Sequence, residues 1–587
     1  MSTPLLQSIS NTRRGRSWLF KTGRSGGILL LFFVGFFILA TRAFWIQGPG
    51  NAFYEQEGKK RFQRTLEISP LRGKILDRSG LVLAASLPAK AIWAVPSEIS
   101  KSLPAGRLDE LARLLGVNSP EIKRKLNKGK HFVYLRRQVP PDVAEKIAAL
   151  KISGLYQQPE YKRFYPDGQN MAHIVGFTDV EDRGQEGMEL SQEKDLAGQL
   201  GHRRVIKDRL GRAVEDIGVV APSREGKDLQ LSIDSKIQYL VANELRAAVE
   251  RHHAKAGAVV VVDVHTGEIL ALANLPTYNP NARANLSGEQ LRNRVLTDTF
   301  EPGSSAKPLT VALALELGRV KPNTLIQTGN GKFQFAGHTI SDTHANGTLS
   351  VAQVIQKSSN IGTTKIAMQL TPKEMWDMFH RVGFGEAPKI GFPGAVAGRV
   401  RPYEKWKPIE QATMSYGYGL SASLLQLARA YTVFGDGELI PLSMTKVDEP
   451  PAGVRVISSK TAKIMRDMLE MAASVGGTGS RAQPEGYRVG GKSGTAHKQV
   501  GKGYAANRYN SFFVGLAPIK APRVVIAVML EEPKVGGYYG GTVAAPVFAA
   551  VASSTLRALN VLPDTVVREL VMNGQSKGIE LVGGRIQ

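Results

Sequence analysis

Residues 26–40 form an uninterrupted weakly polar-to-apolar run that continues through Thr41 and Arg42 to Ala43-Phe44-Trp45-Ile46. The extended run is about 20 residues, enough to cross a hydrocarbon core if Arg42 snorkels to the interface. Gln47-Gly48-Pro49-Gly50 then breaks the helix. Beyond this break the period changes. Alternating apolar residues flank Ser79-Gly80 within 72–84 and predict a hairpin, and 108–115 reads as a helix. Residues 229–234 alternate like a strand, after which Ile237, Leu240, Val241, Leu245 and Val249 recur on one helical face. A β-branched run at 258–263, a turn at His265-Thr266-Gly267 and a return through 269–273 predict a second hairpin. Helical runs follow at 309–317, stopped by Gly318, and at 349–357, with a strand-like stretch at 487–496. Strands and helices in this mixed order predict an α+β layer architecture with antiparallel strands. No repeat of fixed period is visible, and patterning fades after about Asn573.

Length and composition narrow this picture. A chain of 587 residues exceeds one ordinary core and predicts two or three domains. With 42% apolar and 22% charged residues it is globular, not disordered. The absence of cysteine excludes disulfides, thiolate-bound metals and any thiol nucleophile. A net charge of +25 invites a nucleic-acid reading. Lys and Arg are scattered, however, and no zinc-finger or RNA-binding string appears, so no nucleic-acid partner is expected. The densest basic block, Arg13, Arg14, Arg16, Lys21 and Arg24, lies directly ahead of the apolar run, and no acidic residue precedes Glu55. Such a flank stays cytoplasmic and puts the bulk of the chain on the other side. A cleaved signal peptide competes with this reading, but Arg42 spoils a small-x-small site after Ala40. A twin-arginine signal would want an apolar residue where Arg16 stands.

Three strings carry candidate chemistry: Ser304-Ser305-Ala306-Lys307, Ser358-Ser359-Asn360 and Lys492-Ser493-Gly494-Thr495. The patterns S-x-x-K, S-x-N and K-[ST]-G occur together in serine acyl-transferring enzymes. A bare S-x-x-K means little, since Ser191 to Lys194 and Ser443 to Lys446 match it too. Only Ser304 follows a helix-initiating Glu301-Pro302-Gly303 turn and opens an apolar helical run. The plain alternative is a helix-capping serine with a solvated first-turn lysine. Yet a lysine at the positive end of a helix dipole is misplaced, and desolvation would free its neutral amine to deprotonate Ser304. Ser358 and Asn360 read as a helix-ending polar loop, ordinary turn chemistry when taken alone. Gly491 and Gly494 let a ligand backbone approach the strand of Lys492, whose bland reading is a solvated edge strand. Such an edge, with two hydroxyls and an ammonium, suits a peptide carboxylate.

With these strings the chain resembles the class B penicillin-binding proteins, most closely their division-specific branch in Gram-negative bacteria. The likeness includes Arg72-Gly73, Arg163-Phe164-Tyr165-Pro166, Gly176-Phe177-Thr178-Asp179, Thr277-Tyr278-Asn279-Pro280-Asn281, Tyr416-Gly417-Tyr418-Gly419-Leu420 and Tyr538-Tyr539-Gly540-Gly541. It also takes in the polar, Gly-rich stretch 184–189, which like 207–212 reads by itself as turns and salt-bridged loops. The resemblance implies a cytoplasmic tail (1–25), a membrane anchor (26–46), an elongated non-catalytic pedestal (60–225), a transpeptidase domain (227–570) and a flexible tail (571–587). It implies the penicillin-binding fold, a five-stranded antiparallel sheet flanked by helices with an all-helical lobe. It makes Ser304 the nucleophile on the penultimate D-alanine carbonyl of a stem peptide and Lys307 its base. Ser358 relays a proton to the leaving amine, helped by Lys492, while Asn360 holds the substrate amide. Ser493 and Thr495 grip the terminal carboxylate on a strand that Gly494 keeps open. Backbone N–H groups of Ser304 and Thr495 form the oxyanion hole. Tyr418, Tyr538 and Tyr539 either wall the cleft or belong to the core.

The implied partners are peptidoglycan stem peptides, with a D-Ala-D-Ala donor and a diaminopimelate acceptor, and β-lactams, which acylate Ser304. They also include the SEDS-family glycosyltransferase FtsW with other divisome proteins, and the inner membrane. No metal or organic cofactor is implied. The implied location is the inner membrane at the division site, with a cytoplasmic N-terminus and a periplasmic catalytic domain. Ser305-Ala306, Ser493 and the 341–350 segment depart from the usual division-enzyme pattern and leave room for a condition-specific paralogue. A β-lactamase would need a deacylating base with no evident candidate. A β-lactam sensor would need a cytoplasmic effector where only about 25 residues precede the anchor. An idle scaffold would not need Ser304, Lys307 and Lys492 intact.

Overall fold

The computed structural model describes residues 23–49, 51–99, 105–128, 132–207, 213–500 and 503–565. The first 22 residues, the string at 207–212 apart from Lys207, and the expected tail at 571–587 lie outside the described residues. Two compact units divide the chain: Met1–Pro70 with Gln199–Arg224, and Leu71–Gly198 with Glu225–Gln587. In the first, helix α1 (Gly23–Gln47) contains the predicted apolar run and ends where Gly48 and Pro49 were expected to break it. By length and composition its Gly26–Gln47 portion can cross a membrane, and none of it is buried in protein. The Arg42 guanidinium donates to the Tyr54 hydroxyl at 2.9 Å, a polar contact at the end of the apolar stretch. A helix, Asn51–Phe62, leads into an antiparallel sheet in which Gly201–Lys207 lies between Gln63–Ile68 and Ala213–Ala221.

The second unit begins with the predicted hairpin, Ile75–Leu76 against Val82–Ala94. Its turn closes on the Asp77 carboxylate, which accepts from the Ser79 and Leu81 N–H groups at 2.8 and 2.9 Å. Val82–Ala94 also pairs with Val133–Val139 and Leu155–Phe164. The 108–115 helix expected from its pattern is Ala105–Leu115. It packs Leu108, Leu111 and Leu115 with Ile92, Ile122 and Ile147 into a separate small core. The Gly-rich 184–189 stretch is ion-paired, as read, but its acid is interior. Glu189 is 0% exposed and accepts from the Nε atoms of Arg72 and Arg163, both at 2.7 Å.

Of the strand expected at 229–234, only Leu229–Gln230 is a strand, running parallel to Ile75–Leu76. Leu231 makes one further bridge to Thr445, and Asp234 turns away to cap the next helix. That helix, α2 (Ser235–Arg251), buries Ile237, Val241 and Leu245 as its periodicity requires. The second hairpin is β1 (Ala256–Asp263) and β2 (Ile269–Leu275). Helices α3 (Lys307–Glu316), α4 (Val351–Lys357), α5 (Asn360–Ala367) and α6 (Leu424–Asp436) follow. The chain then returns through β3 (Gly490–Val500), β4 (Gly503–Ala517), β5 (Val524–Glu531) and α7 (Ala545–Ala558). The five strands form one antiparallel sheet in the order β2-β1-β5-β4-β3, as expected.

Every residue of β1 and β5 is buried, which is why both read as unbroken apolar runs and not as alternating ones. Val259, Val261, Ile526 and Val528 face α2 and α7. Val260, Val262, Ala527 and Met529 face a larger core that takes in α3, α4 and α6. Beside these helices the lobe carries two short ladders, Leu325–Gly329 with Gly347–Ser350 and Lys332–Phe335 with His338–Ser341. The first explains why α4 starts at Val351 and not at 349: Leu349 and Ser350 are strand residues, and Ser350 caps the helix. Replacing Glu189 with Ala would strip the buried Arg163 guanidinium of its counter-charge and leave the buried Arg72 with only the partly exposed Glu193. The expected loss is about 3–5 kcal/mol of unfolding free energy. Urea melts of the full-length protein in detergent measure it, and an unchanged midpoint would contradict the pairing.

Candidate active site

Ser304 lies in a 3₁₀ turn, Gly303–Ala306, and α3 itself begins at Lys307. Its side chain does not cap that helix, which removes the plain reading. The turn is held from several sides. The Gly303 N–H donates to the Gly417 carbonyl at 3.1 Å, and the fully buried Tyr431 donates its hydroxyl to the Ser305 carbonyl at 2.7 Å. Gly417 is required here, because a Cβ would lie 2.1 Å from the Gly303 carbonyl oxygen. Ser305 fits without strain: its hydroxyl donates to the Pro302 carbonyl at 2.6 Å.

Lys307 is 0% exposed, so it is not a solvated first-turn lysine. Its Nζ donates to the Ser358 carbonyl at 2.5 Å and to the Ser358 hydroxyl at 3.1 Å. No hydrogen bond joins Lys307 to the Ser304 hydroxyl among the described residues. Ser358 follows α4 as its left-handed C-cap, with φ 60°, a conformation uncommon outside glycine. Ser359 immediately caps α5 by accepting from the Gly362 N–H at 2.8 Å. The Ser-Ser-Asn string is therefore a tight junction between two helices, and not only a helix-ending loop. Asp342 braces it, accepting from the Ser359 hydroxyl at 2.5 Å and the Ile361 N–H at 3.0 Å. Asn360 donates its side-chain amide to the Ser341 carbonyl at 2.9 Å, which leaves its own carbonyl oxygen to accept from a ligand.

Lys492, Ser493, Gly494 and Thr495 lie on β3, the edge of the sheet. An edge strand keeps one row of backbone groups unpaired with a neighbouring strand. Gly494 passes closely over the Ser304 turn: a Cβ there would sit 3.0 Å from the Pro302 carbonyl oxygen and 3.5 Å from the Ser305 nitrogen. Thr495 accepts from the Gly540 N–H at 3.0 Å, so its own hydroxyl proton is available to donate. Lys492 is 0% exposed, and its Nζ donates to the Ser493 carbonyl at 3.1 Å and the Thr478 hydroxyl at 3.3 Å. The three strings meet in one place.

Burial dominates the electrostatics. Loss of water holds the Lys307 amine well below its ordinary range, repulsion from Lys492 adds to this, and Asp342 opposes it. Burial alone brings Lys492 down to about 7. Desolvation thus favours the neutral amine of Lys307, three residues from a serine whose backbone is fixed. This is what activating a hydroxyl nucleophile demands.

Comparison with known proteins agrees with this geometry. The penicillin-binding protein transpeptidase domain family matches residues 257–553, and the penicillin-binding protein dimerisation domain family matches residues 67–231. The probable peptidoglycan D,D-transpeptidase PenA of Neisseria gonorrhoeae is 42% identical over 546 residues, spanning 92% of this chain and 94% of that protein. The peptidoglycan D,D-transpeptidase FtsI of Escherichia coli K12 is 41% identical over 558 residues, spanning 93% of this chain and 94% of that protein. The chain belongs to the class B penicillin-binding proteins. Among solved structures, the apo TP domain of penicillin-binding protein 3 from Burkholderia pseudomallei is 57% identical over 57% of this chain and 98% of that one, with a TM-score of 0.54.

In this penicillin-binding protein the tyrosines set apart by sequence are not core residues. Tyr538 and Tyr539 are 36% and 51% exposed, and Tyr538 stacks on Tyr509 with centroids 4.1 Å apart. Tyr418, half-buried, stands edge-on to Tyr504 at 6.4 Å. Sequence reasoning missed Asp342, Thr478 and Glu301. Thr478 takes hydrogen bonds from both Lys492 and the Ser493 hydroxyl, the latter at 3.0 Å. Its signal was the Gly476-Gly477-Thr478-Gly479 string, whose glycines permit close approach. Asp342 gave no signal beyond an acid in a polar loop.

A base with an ordinary lysine pKa near 10.4 would lose about tenfold in rate for each pH unit below that value. With Lys307 held well below its ordinary range, the acylation rate should fall by clearly less than about hundredfold between pH 9 and 7, the steep decline moving to lower pH, where the amine gains its proton. Stopped-flow labelling with a fluorescent penicillin measures this. A log-linear decline across the whole range would rule out the desolvated amine as base.

Proposed function

We propose that this protein is a serine D,D-transpeptidase that crosslinks peptidoglycan stem peptides during septal wall synthesis and is itself acylated by β-lactams. The observation that carries the reading is the meeting of a fixed serine turn, a desolvated lysine and an edge strand bearing two hydroxyls. The Ser304 Oγ attacks the carbonyl of the penultimate D-alanine and gives its proton to the Lys307 amine. That proton passes through the Ser358 hydroxyl, already within 3.1 Å of Lys307 Nζ, to the departing D-alanine amine as the C–N bond breaks. Backbone N–H groups of Ser304 and Thr495 hold the oxyanion, a contribution often worth about 3 kcal/mol of barrier. Ser493 and Thr495 donate to the terminal carboxylate, Lys492 helps Ser358 relay the proton, and Asn360 accepts from the peptide amide. Tyr418, Tyr538 and Tyr539 line the approach.

The acyl-enzyme is then attacked by the side-chain amine of diaminopimelate on a neighbouring strand, which forms the crosslink and frees Ser304. A β-lactam follows the first half of this path but keeps its leaving group tethered, so the adduct persists. We assign 227–570 to catalysis and 60–225 to a non-catalytic pedestal that meets partner proteins, FtsW among them. Residues 26–46 anchor the chain in the inner membrane at the division site, with the tail 1–25 cytoplasmic and the catalytic domain periplasmic.

Full-length protein in detergent should be labelled covalently by a fluorescent penicillin, and Ser304→Ala should lose labelling and crosslinking of supplied peptidoglycan strands. Rapid release of hydrolysed drug would point to a β-lactamase instead. Labelling without crosslinking would point to a sensor or scaffold.

A further inference from the structure

The β3–β4 hairpin extends past the sheet that supports it. β5 pairs with β4 only from Asn510 to Ala517, so His497, Gln499 and Val500 pair only with Tyr509, Tyr504 and Gly503. A two-stranded ribbon is marginal on its own, so side-chain ties must hold it. On one side Lys498 bonds the Glu531 and Glu532 carboxylates, Arg508 bonds Glu532 at 2.7 Å, and Tyr509 stacks on Tyr538. On the other side, among the described residues, one side-chain hydrogen bond reaches the catalytic turn. The Tyr504 hydroxyl donates to Glu301 Oε2 at 2.9 Å, while Glu301 Oε1 accepts from the Gly419 N–H at 2.8 Å.

Glu301 is 5% exposed, and among the described residues its carboxylate is met by the Tyr504 hydroxyl and the Gly419 N–H and by no ion-paired cation. A buried carboxylate without a cation is costly unless its donors are well placed, so this one enforces the placement of both donors. It stands immediately before Pro302-Gly303-Ser304, in the turn that the Gly417 and Tyr431 contacts make rigid. Its two ligands come from the Tyr418-Gly419 loop and from the ribbon beyond Thr495. The acylation chemistry set out above uses neither Glu301 nor Tyr504.

We propose that Glu301 is a positioning residue that docks the free ribbon, through Tyr504, onto the turn carrying Ser304 and so fixes the carboxylate-gripping strand relative to the nucleophile. The proposal rests on Ser304 being the acylated serine. Loss of the tie leaves the reacting groups in place but lets the edge strand wander relative to them. Carboxylate binding then weakens equally in the ground state and the transition state, which raises the half-saturating concentration and spares the rate at saturation.

The test is fluorescent-penicillin acylation of full-length protein in detergent, comparing wild type, Tyr504→Phe, Glu301→Gln and the double variant, with amide hydrogen exchange on each. Tyr504→Phe removes one hydroxyl from a residue that is 53% exposed, so folding is not at stake. It should keep full labelling stoichiometry, raise the half-saturating concentration about fivefold, leave the saturating rate within about twofold, and speed exchange in 503–509. The double variant should be no worse than the weaker single variant, because the two residues act through one contact. Unchanged half-saturation in Tyr504→Phe, unchanged exchange, or additive losses in the double variant would each overturn the proposal. If wild type is not labelled at Ser304 the functional reading fails instead, and the exchange comparison still decides whether Glu301 docks the ribbon.

Discussion

Two primary amines held out of water set the terms for the rest of the site. Lys307 and Lys492 are both 0% exposed, and their hydrogen bonds go to hydroxyl and carbonyl oxygens, not to carboxylates. An ammonium ion in such a place costs several kcal/mol, and the cheapest relief is to lose the proton. The groups around each amine must therefore accept a hydrogen bond without supplying a full charge. Ser358 does so for Lys307, and Thr478 with the Ser493 carbonyl does so for Lys492. Asp342 stands behind this shell, bracing Ser359 and Ile361 rather than bonding the lysine. Chemistry and packing are the same constraint here.

That constraint needs a rigid frame on each side. The sheet provides one, since its inner strands are buried on both faces and cannot shift without opening two cores. Of its two edge strands, β2 and β3, it is β3 that bears the hydroxyls a carboxylate would meet. The helical side provides the other, through the left-handed turn at Ser358 and the buried Tyr431 behind Ser305. The place where frame gives way to free ribbon is the place where Glu301 sits.

Buried polar pairs recur away from the site. Glu189 between Arg72 and Arg163 fixes the start of the second unit by charge, where the small core around Leu111 holds by apolar contact. Such clusters specify one arrangement because any other would strand a charge in the interior. Sequence recognised the glycines and charges of that stretch as a salt-bridged loop. It did not reveal that the acid is interior, because burial depends on what the fold lays over it.

By itself the sequence determined the apolar helix, the two hairpins, the helix after Ser304 and the order of the three strings. Each is written in residues a few positions apart, where periodicity, turn chemistry and β-branched runs act. The five-stranded sheet and its antiparallel sense followed from those elements together with the family resemblance. Only the tertiary structure decided that the amine of Lys307 meets Ser358, 51 positions away, or that Tyr504 reaches Glu301 across 203. It also decided that 231–234 leaves the strand, since Asp234 is drawn off to cap α2. Desolvation and converging hydrogen bonds are properties of segments brought together from far apart, and no local pattern encodes how much water remains between them.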